Sequence, residues 1–126
     1  MTAPRDEFDL VVAGGGTSGA ALAIVAARLG LSVCLLKHSS MLGGMSTRGA
    51  VGTFCGLFTS SPQRETIPTV LGREIVARLA ERGEAKRQNI RFTDVVPYGI
   101  WGLARLLDEM TAEAGVEVRY LSTVTG

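Results

Sequence analysis

The chain has 126 residues, with 13 basic and 12 acidic side chains, a net charge of +1, and 46% hydrophobic residues. That length suits one domain with a real core and is short for an enzyme that handles two substrates. The near balance of charge gives no basis for nucleic-acid or anionic-membrane binding, and no apolar run approaches the roughly 20 residues that span a bilayer.

Met1 to Glu7 is a polar leader. No cationic start leads into an apolar core, so no signal peptide is expected and the expected location is the cytoplasm. The first unit runs from Phe8 to Lys37. Asp9 to Ala13 is a short apolar run, the mark of a buried parallel strand. Gly14, Gly16 and Gly19 follow as G-x-G-x-x-G. Thr17 to Leu29 then reads as a helix, Gly30 stops it, and Ser32 to Leu36 is a second apolar strand.

The three glycines have separate tasks. Gly14 permits the strand-to-helix turn, Gly16 lets a pyrophosphate approach the backbone, and Gly19 lets the helix press on the strand. Ala20, Ala23 and Ala27 are small enough for the same close packing. The free N–H groups and positive end of the helix then face the pyrophosphate. The chain has 16 glycines, well above the usual level of about 7%, and they gather at turns without forming repeats.

His38 to Gly52 is a loop rich in glycine and hydroxyls, suited to phosphate or ribityl oxygens. Ser60 to Pro68 contains two prolines and reads as an exposed connection. Thr69 to Glu81 is predicted helical, with Val70, Leu71, Ile75 and Leu79 near one face. Glu84 to Arg91 is polar and basic, a solvated surface turn. Phe92 to Pro97 is a candidate short strand. Trp101 to Ala114 is the clearest amphipathic helix, with Leu103, Leu106, Leu107, Met110 and Ala114 on one stripe. Val116 to Leu121 alternates as a third strand. Cys34 and Cys55 have no metal or redox spacing, and no metal site is expected. Cys34 is a small core residue of the second strand, and Cys55 has no resolving partner nearby.

Three stretches together resemble the FAD-dependent oxidoreductase family with the glutathione-reductase-like, two-dinucleotide-binding-domain fold. They are DLVVAGGGTSGAALAIVAARLGLSVCLL, LGGMSTRGAVGTF and VPYGIWGLARLLDEMTAEAGVEVRYLSTVTG. The resemblance implies an α/β fold: a Rossmann-like parallel sheet with a βαβ FAD/NAD(P)-binding unit, here an incomplete doubly wound fold in one partial domain over residues 1–126. It also implies a cofactor, FAD. Gly14, Gly16 and Gly19 would receive its pyrophosphate, with the backbone N–H groups of Thr17 and Ser18 as donors. Gly43, Gly44, Ser46 and Thr47 would lie along the pyrophosphate and ribityl chain, and Val124 near the adenine. The hydroxyls of Ser46 and Thr47 either serve the ligand or bond their own backbone.

Two departures from that family qualify the reading. The family places an acid at the end of the second strand, where it accepts bonds from the adenosine ribose. This chain has Lys37 there, and an ammonium has no acceptor lone pair. FAD binding is then weakened, or the site prefers a phosphorylated ribose as in NADP, with His38 beside it. The chain also lacks the later strands of a doubly wound sheet. The edge of the first strand should lack its neighbour, which calls for a second chain or self-association.

Two functions follow as expectations. The first is the FAD-binding portion of an oxidoreductase, with flavin-mediated hydride or electron transfer from an unknown small-molecule substrate and catalytic residues unknown. The second is a truncated or degenerate non-catalytic nucleotide-binding or interaction module. The chain is expected to be a fragment, a truncated product or one subunit of a split enzyme.

Overall fold

The computed structural model describes residues 7–125. The first apolar run forms β1 (Leu10–Ala13), followed by α1 (Thr17–Arg28) and β2 (Val33–Leu36). β1 and β2 pair in parallel from Leu10 against Val33 to Ala13 against Leu36. Parallel pairing needs a crossover, and α1 supplies it. Its small residues set how close it lies: Ala20, Ala23 and Ile24 are fully buried, and the helix packs on β2.

After β2, a single 3-10 turn (Gly44–Ser46) leads into β3 (Thr53–Phe54). Next come α2 (Gly72–Glu81), β4 (Gln88–Asn89), β5 (Asp94–Pro97), α3 (Ile100–Ala114) and β6 (Glu117–Arg119). β6 pairs in parallel with β2, Cys34 against Glu117 through Leu36 against Arg119. The main sheet therefore has the order β1-β2-β6. This is a Rossmann-like α/β arrangement, with β2 central and buried from Val33 to Leu35. Among the described residues β1 pairs only with β2, and Val11 on it is 53% exposed.

The stripe read on α3 is the stripe it buries: Leu103, Leu106, Leu107 and Met110 join the core with Ile24, Val33, Leu35 and Leu79. α2 begins later than its periodicity suggests. The Thr69 hydroxyl accepts the Arg73 amide at 3.2 Å, so the preceding turn leads into the helix and Val70 is left 80% exposed.

The segment between the 3-10 turn and α3 differs most from the sequence reading. The strand expected over 92–97 begins only at Asp94 and belongs to a second, antiparallel sheet of order β3-β5-β4. Thr53 faces Pro97, and Gln88 faces Val95. The stretch read as a surface turn thus supplies β4, though both its residues are exposed. Two-residue strands have no period to read, and their pairing is set by partners distant in sequence. Asp94 is buried here, accepting hydrogen bonds from Arg87 Nε at 2.5 Å and Asn89 Nδ2 at 2.7 Å.

The polar face of α2 is tied to both other helices. Glu74 accepts a bidentate pair from Arg28 of α1 at 2.6 and 2.8 Å. Arg78 donates to Glu113 of α3 at 2.6 and 2.8 Å, and Arg82 to Glu109 at 2.5 Å. Residues 74, 78 and 82 recur at helical spacing, so one ridge meets both neighbours. Among the described residues, no helix is long and apolar enough to cross a membrane.

The carboxyls of Glu74, Glu109 and Glu113 are held below the ordinary glutamate range by hydrogen bonds from Arg28, Arg82 and Arg78 respectively. A carboxylate depressed on folding contributes stability above its unfolded pKa, about 4.3, and loses it as pH falls through the lower folded value. The thermal midpoint should therefore drop between pH 6 and pH 3, and Arg78→Ala should reduce that drop. Equal pH slopes for the two proteins would show that the ridge contributes nothing.

Candidate functional site

Parallel strands place their carboxyl ends on one side of the sheet, where loops gather and ligands bind in open α/β folds. β1 leaves there through Gly14, whose φ of 117° favours glycine. The Gly14 amide bonds Leu36 O at 2.9 Å, extending the β1–β2 ladder into the turn. Gly19 sits over the same turn. A Cβ added to it would lie 1.8 Å from Gly14 O and 3.4 Å from Val12 Cγ1, so helix and strand meet through a glycine.

Gly16 is the N-cap of α1 and differs in kind. Its φ of −73° is open to any residue, and a Cβ there would meet nothing within 4 Å. Empty space above it, rather than backbone geometry, is what its missing side chain leaves. The helix it opens has no side-chain cap and no acid in its first turn. Helix starts ordinarily attract Ser, Thr, Asp or Asn at this position. Ala20 N makes the first intrahelical bond, to Gly16 O at 2.9 Å. The amides of Thr17, Ser18 and Gly19 have no intrahelical acceptor and carry the positive end of the helix dipole.

The second loop closes on the first through backbone. Gly43 forms a parallel bridge with Gly16, and its amide bonds Gly15 O at 3.0 Å. Gly43 turns at φ 94°, and a Cβ there would lie 2.6 Å from Thr47 Cγ2. The Thr17 hydroxyl donates to Gly43 O at 2.9 Å and lies 2.9 Å from Ser46 Oγ. The Gly44 Cβ position is 3.1 Å from Gly16 Cα. Gly14, Gly16, Thr17, Ser18, Gly19, Gly43, Gly44 and Ser46 thus come together in one cradle. Thr47 lies beneath it, 1% exposed, with its hydroxyl donated to Leu42 O.

Two supports of this cradle are absent from the sequence reading. Gly15 occupies an x position of the motif, yet a Cβ there would lie 2.6 Å from Leu42 Cδ2 and 3.1 Å from Lys37 Cδ. The single proton of the Tyr98 hydroxyl is shared between Ser46 O, 2.8 Å away, and Val51 O. Its ring stacks on Phe54 with centroids 4.1 Å apart. Burial pushes the Tyr98 hydroxyl above its ordinary pKa, against the opposing pull of the Ser46 bond. Nothing near Tyr98 in the sequence signals a brace 52 residues away.

Lys37 stands at the end of β2 as expected, but its side chain is only 5% exposed, with its methylenes near the Gly15 turn. Its amide bonds Arg119 O at 2.9 Å and its carbonyl accepts Ser122 N–H at 3.0 Å. The segment leading to Val124 therefore runs beside it. His38 is exposed, and Val124 is 61% exposed. Cys55 is exposed, Cys34 is buried, and neither is in a disulfide. An apolar groove of about 520 Å³ flanks the cradle, lined by Leu22, Val25, Phe54, Leu71 and Ile75 together with Thr17 and Ser46.

Solved structures share this fold. THI4 of Thermovibrio ammonificans superposes with a TM-score of 0.58 at 19% identity, over 90% of this chain and 38% of that one. NikD, described as an unusual amino acid oxidase essential for nikkomycin biosynthesis, gives 0.61 at 17% identity, over 94% and 44%. A variant of the halogenase PltM in complex with FAD gives 0.60 at 13% identity, over 96% and 29%. At such identities the likeness is one of fold. The chain spans less than half the length of each of these proteins. A sequence model of the FAD dependent oxidoreductase family matches residues 9–126. The glycine turn, the parallel sheet and this match agree: the chain belongs to the FAD-dependent oxidoreductase family, whose cofactor is FAD.

Proposed function

We propose that this chain is the FAD-binding portion of an oxidoreductase and that the cradle holds the cofactor's diphosphate. One observation carries the reading: an uncapped helix start faces the space that Gly16 leaves open. Backbone amides and a helix dipole suit an anion of this kind. The amides of Thr17 and Ser18 donate to the diphosphate. Gly43 and Gly44 run along the diphosphate and ribityl chain with Ser46, and Thr47 fixes that loop from below. Val124 lies near the adenine. When bound, the flavin supplies the two-electron chemistry, taking a hydride or electron pair from a small-molecule substrate. The protein's part is to bind and orient it. The side of β1 that is unpaired among the described residues takes a strand from a second chain or a second copy, and two cysteines without a disulfide fit the reducing cytoplasm.

A second reading, a non-catalytic or NADP-preferring nucleotide module, is favoured by Lys37 alone. An ammonium at the ribose position donates where the ribose hydroxyls need an acceptor.

The direct test is the visible absorption spectrum of the purified chain after adding FAD and removing the excess. A retained flavin band is expected, and its absence, alone and with co-expressed neighbouring gene products, would overturn the reading. The glycines separate fold from ligand. Gly16→Ala should leave the thermal midpoint nearly unchanged and abolish retention of FAD. Gly19→Ala should destabilise the fold by about 3 kcal/mol or more, since its Cβ has no room. Lys37→Glu should raise FAD affinity about tenfold by restoring an acceptor to the ribose. If instead wild type binds NADP more tightly than FAD and Lys37→Glu reverses that order, the second reading holds.

A further inference from the structure

The groove beside the cradle has a shape and a chemistry of its own. Ala21 and Val25 of α1 form one wall, Leu71 and Ile75 at the start of α2 form the other, and the buried Leu103 and Leu107 of α3 lie at its base. Its volume of about 520 Å³ falls in the range of small-molecule sites, roughly 300 to 1,000 Å³. Among the described residues no charged side chain lines it. Its three hydroxyls have partners within the fold: Thr17 donates to Gly43 O and meets Ser46 Oγ, and Thr69 accepts the Arg73 amide. A charged ligand would lose its hydration there and find no counter-ion. The two ends differ. Thr17 and Ser46 border both the groove and the cradle. At the other end the α1 stripe of Thr17, Ala21 and Val25 runs into Arg28, which pairs with Glu74 of α2 at 2.6 and 2.8 Å. The two walls are thus tied together one turn beyond Val25.

We infer that this groove holds the apolar body of a neutral small-molecule substrate, with the substrate's reacting end at Thr17 and Ser46. This rests on the cofactor reading above, because those two residues are shared with the cradle. The tied end decides against a partner's helix, which is about 10 Å wide and leaves a groove at both ends. The recessed lining decides against a second copy. Of the large apolar residues around the groove only Leu22 and Val70, at its rim, are exposed, by 53% and 80%. A stable protein interface buries about 1,200 Å² or more, and two rim side chains offer little of that. A small molecule that enters the groove instead meets the buried residues at its base. Thr17 to Val25 spans about 12 Å of helix, which sets the length of body the groove takes.

The test titrates the full chain with N-phenyl-1-naphthylamine, a neutral apolar dye, and follows both dye fluorescence and the flavin spectrum. The dye should saturate at one per chain. Leu22→Asp and Val70→Asp place a carboxylate at the rim and should each weaken the dye about tenfold or more, with FAD retention unchanged. Val70 precedes α2, where an acid suits the helix dipole, so that variant guards against a folding defect. Trp101→Gln, at a side chain 72% exposed outside the groove, should change dye binding less than twofold. Dye added to the FAD-loaded chain should shift the flavin band without releasing FAD. Dye binding that never saturates or survives both rim variants, or a flavin band unmoved by bound dye, would overturn the inference and leave the cofactor reading standing. So would FAD displacing the dye one for one, which makes the groove the cofactor's own. A wild-type dimer that Val70→Asp splits would overturn it as well, by giving the groove to a second copy. A chain that binds the dye and never retains FAD would overturn the cofactor reading, and the substrate assignment with it.

Discussion

The close approach of α1 to the turn before it governs the rest of the molecule. Gly19 lies where a methyl group would strike Gly14 O. This proximity brings Ala20, Ala23 and Ile24 onto the sheet and sets the direction in which the helix starts. It also explains why the first turn is held by backbone: Gly14 bonds Leu36, and Gly15 bonds Gly43. A side chain at Gly15 would strike Leu42, and one at Gly43 would strike Thr47, so the second loop could not stay where it is. Packing and recognition are therefore consequences of the same absence of side-chain atoms, with open space left above Gly16 at the helix start.

Around this centre the structure uses two kinds of attachment. The parallel sheet and α3 are joined by apolar packing, with Leu35, Leu106 and Met110 fully buried. The peripheral α2 adds Leu79 to that core, and the Leu71 before it does the same, but its charged ridge reaches Arg28 on one side and Glu109 and Glu113 on the other. Exposed pairs of this type contribute modestly one at a time, about 1 kcal/mol or less. Their value lies more in fixing the orientation of a helix whose buried face is narrow.

The parts visible in the sequence were those with a period or a steric demand. The two apolar strands, the stripe of α3 and the tasks of Gly14 and Gly19 follow from local rules, and the structure agrees except in one respect: β1 was read as a buried strand, and only its Val12 is buried, because one side of it lacks a paired neighbour among the described residues. The small antiparallel sheet was not visible, because Thr53–Phe54 and Gln88–Asn89 are too short to show alternation. The role of Gly15 was hidden for a different reason: its neighbours are Leu42 and Lys37, which only the fold brings near. Tyr98 is the clearest case. A tyrosine before a helix looks ordinary, and its bonds to Ser46 and Val51 exist only once the second sheet has closed. The identity of Lys37 was plain in the sequence, whereas the burial of its side chain was not.

The link from Thr17 to Gly43 joins residues 26 apart in sequence, with a helix and a strand between them. Neither loop can hold its shape before β1, α1 and β2 have docked, since the second loop is built on the backbone of the first. The cradle is consequently a product of tertiary contacts, and closing the loop between residues 26 apart costs entropy. A ligand that fits it binds the native state and not the unfolded chain, so cofactor supply and folding yield are linked quantities. Scarcity of the cofactor would then appear first as lost protein, before it appeared as lost turnover.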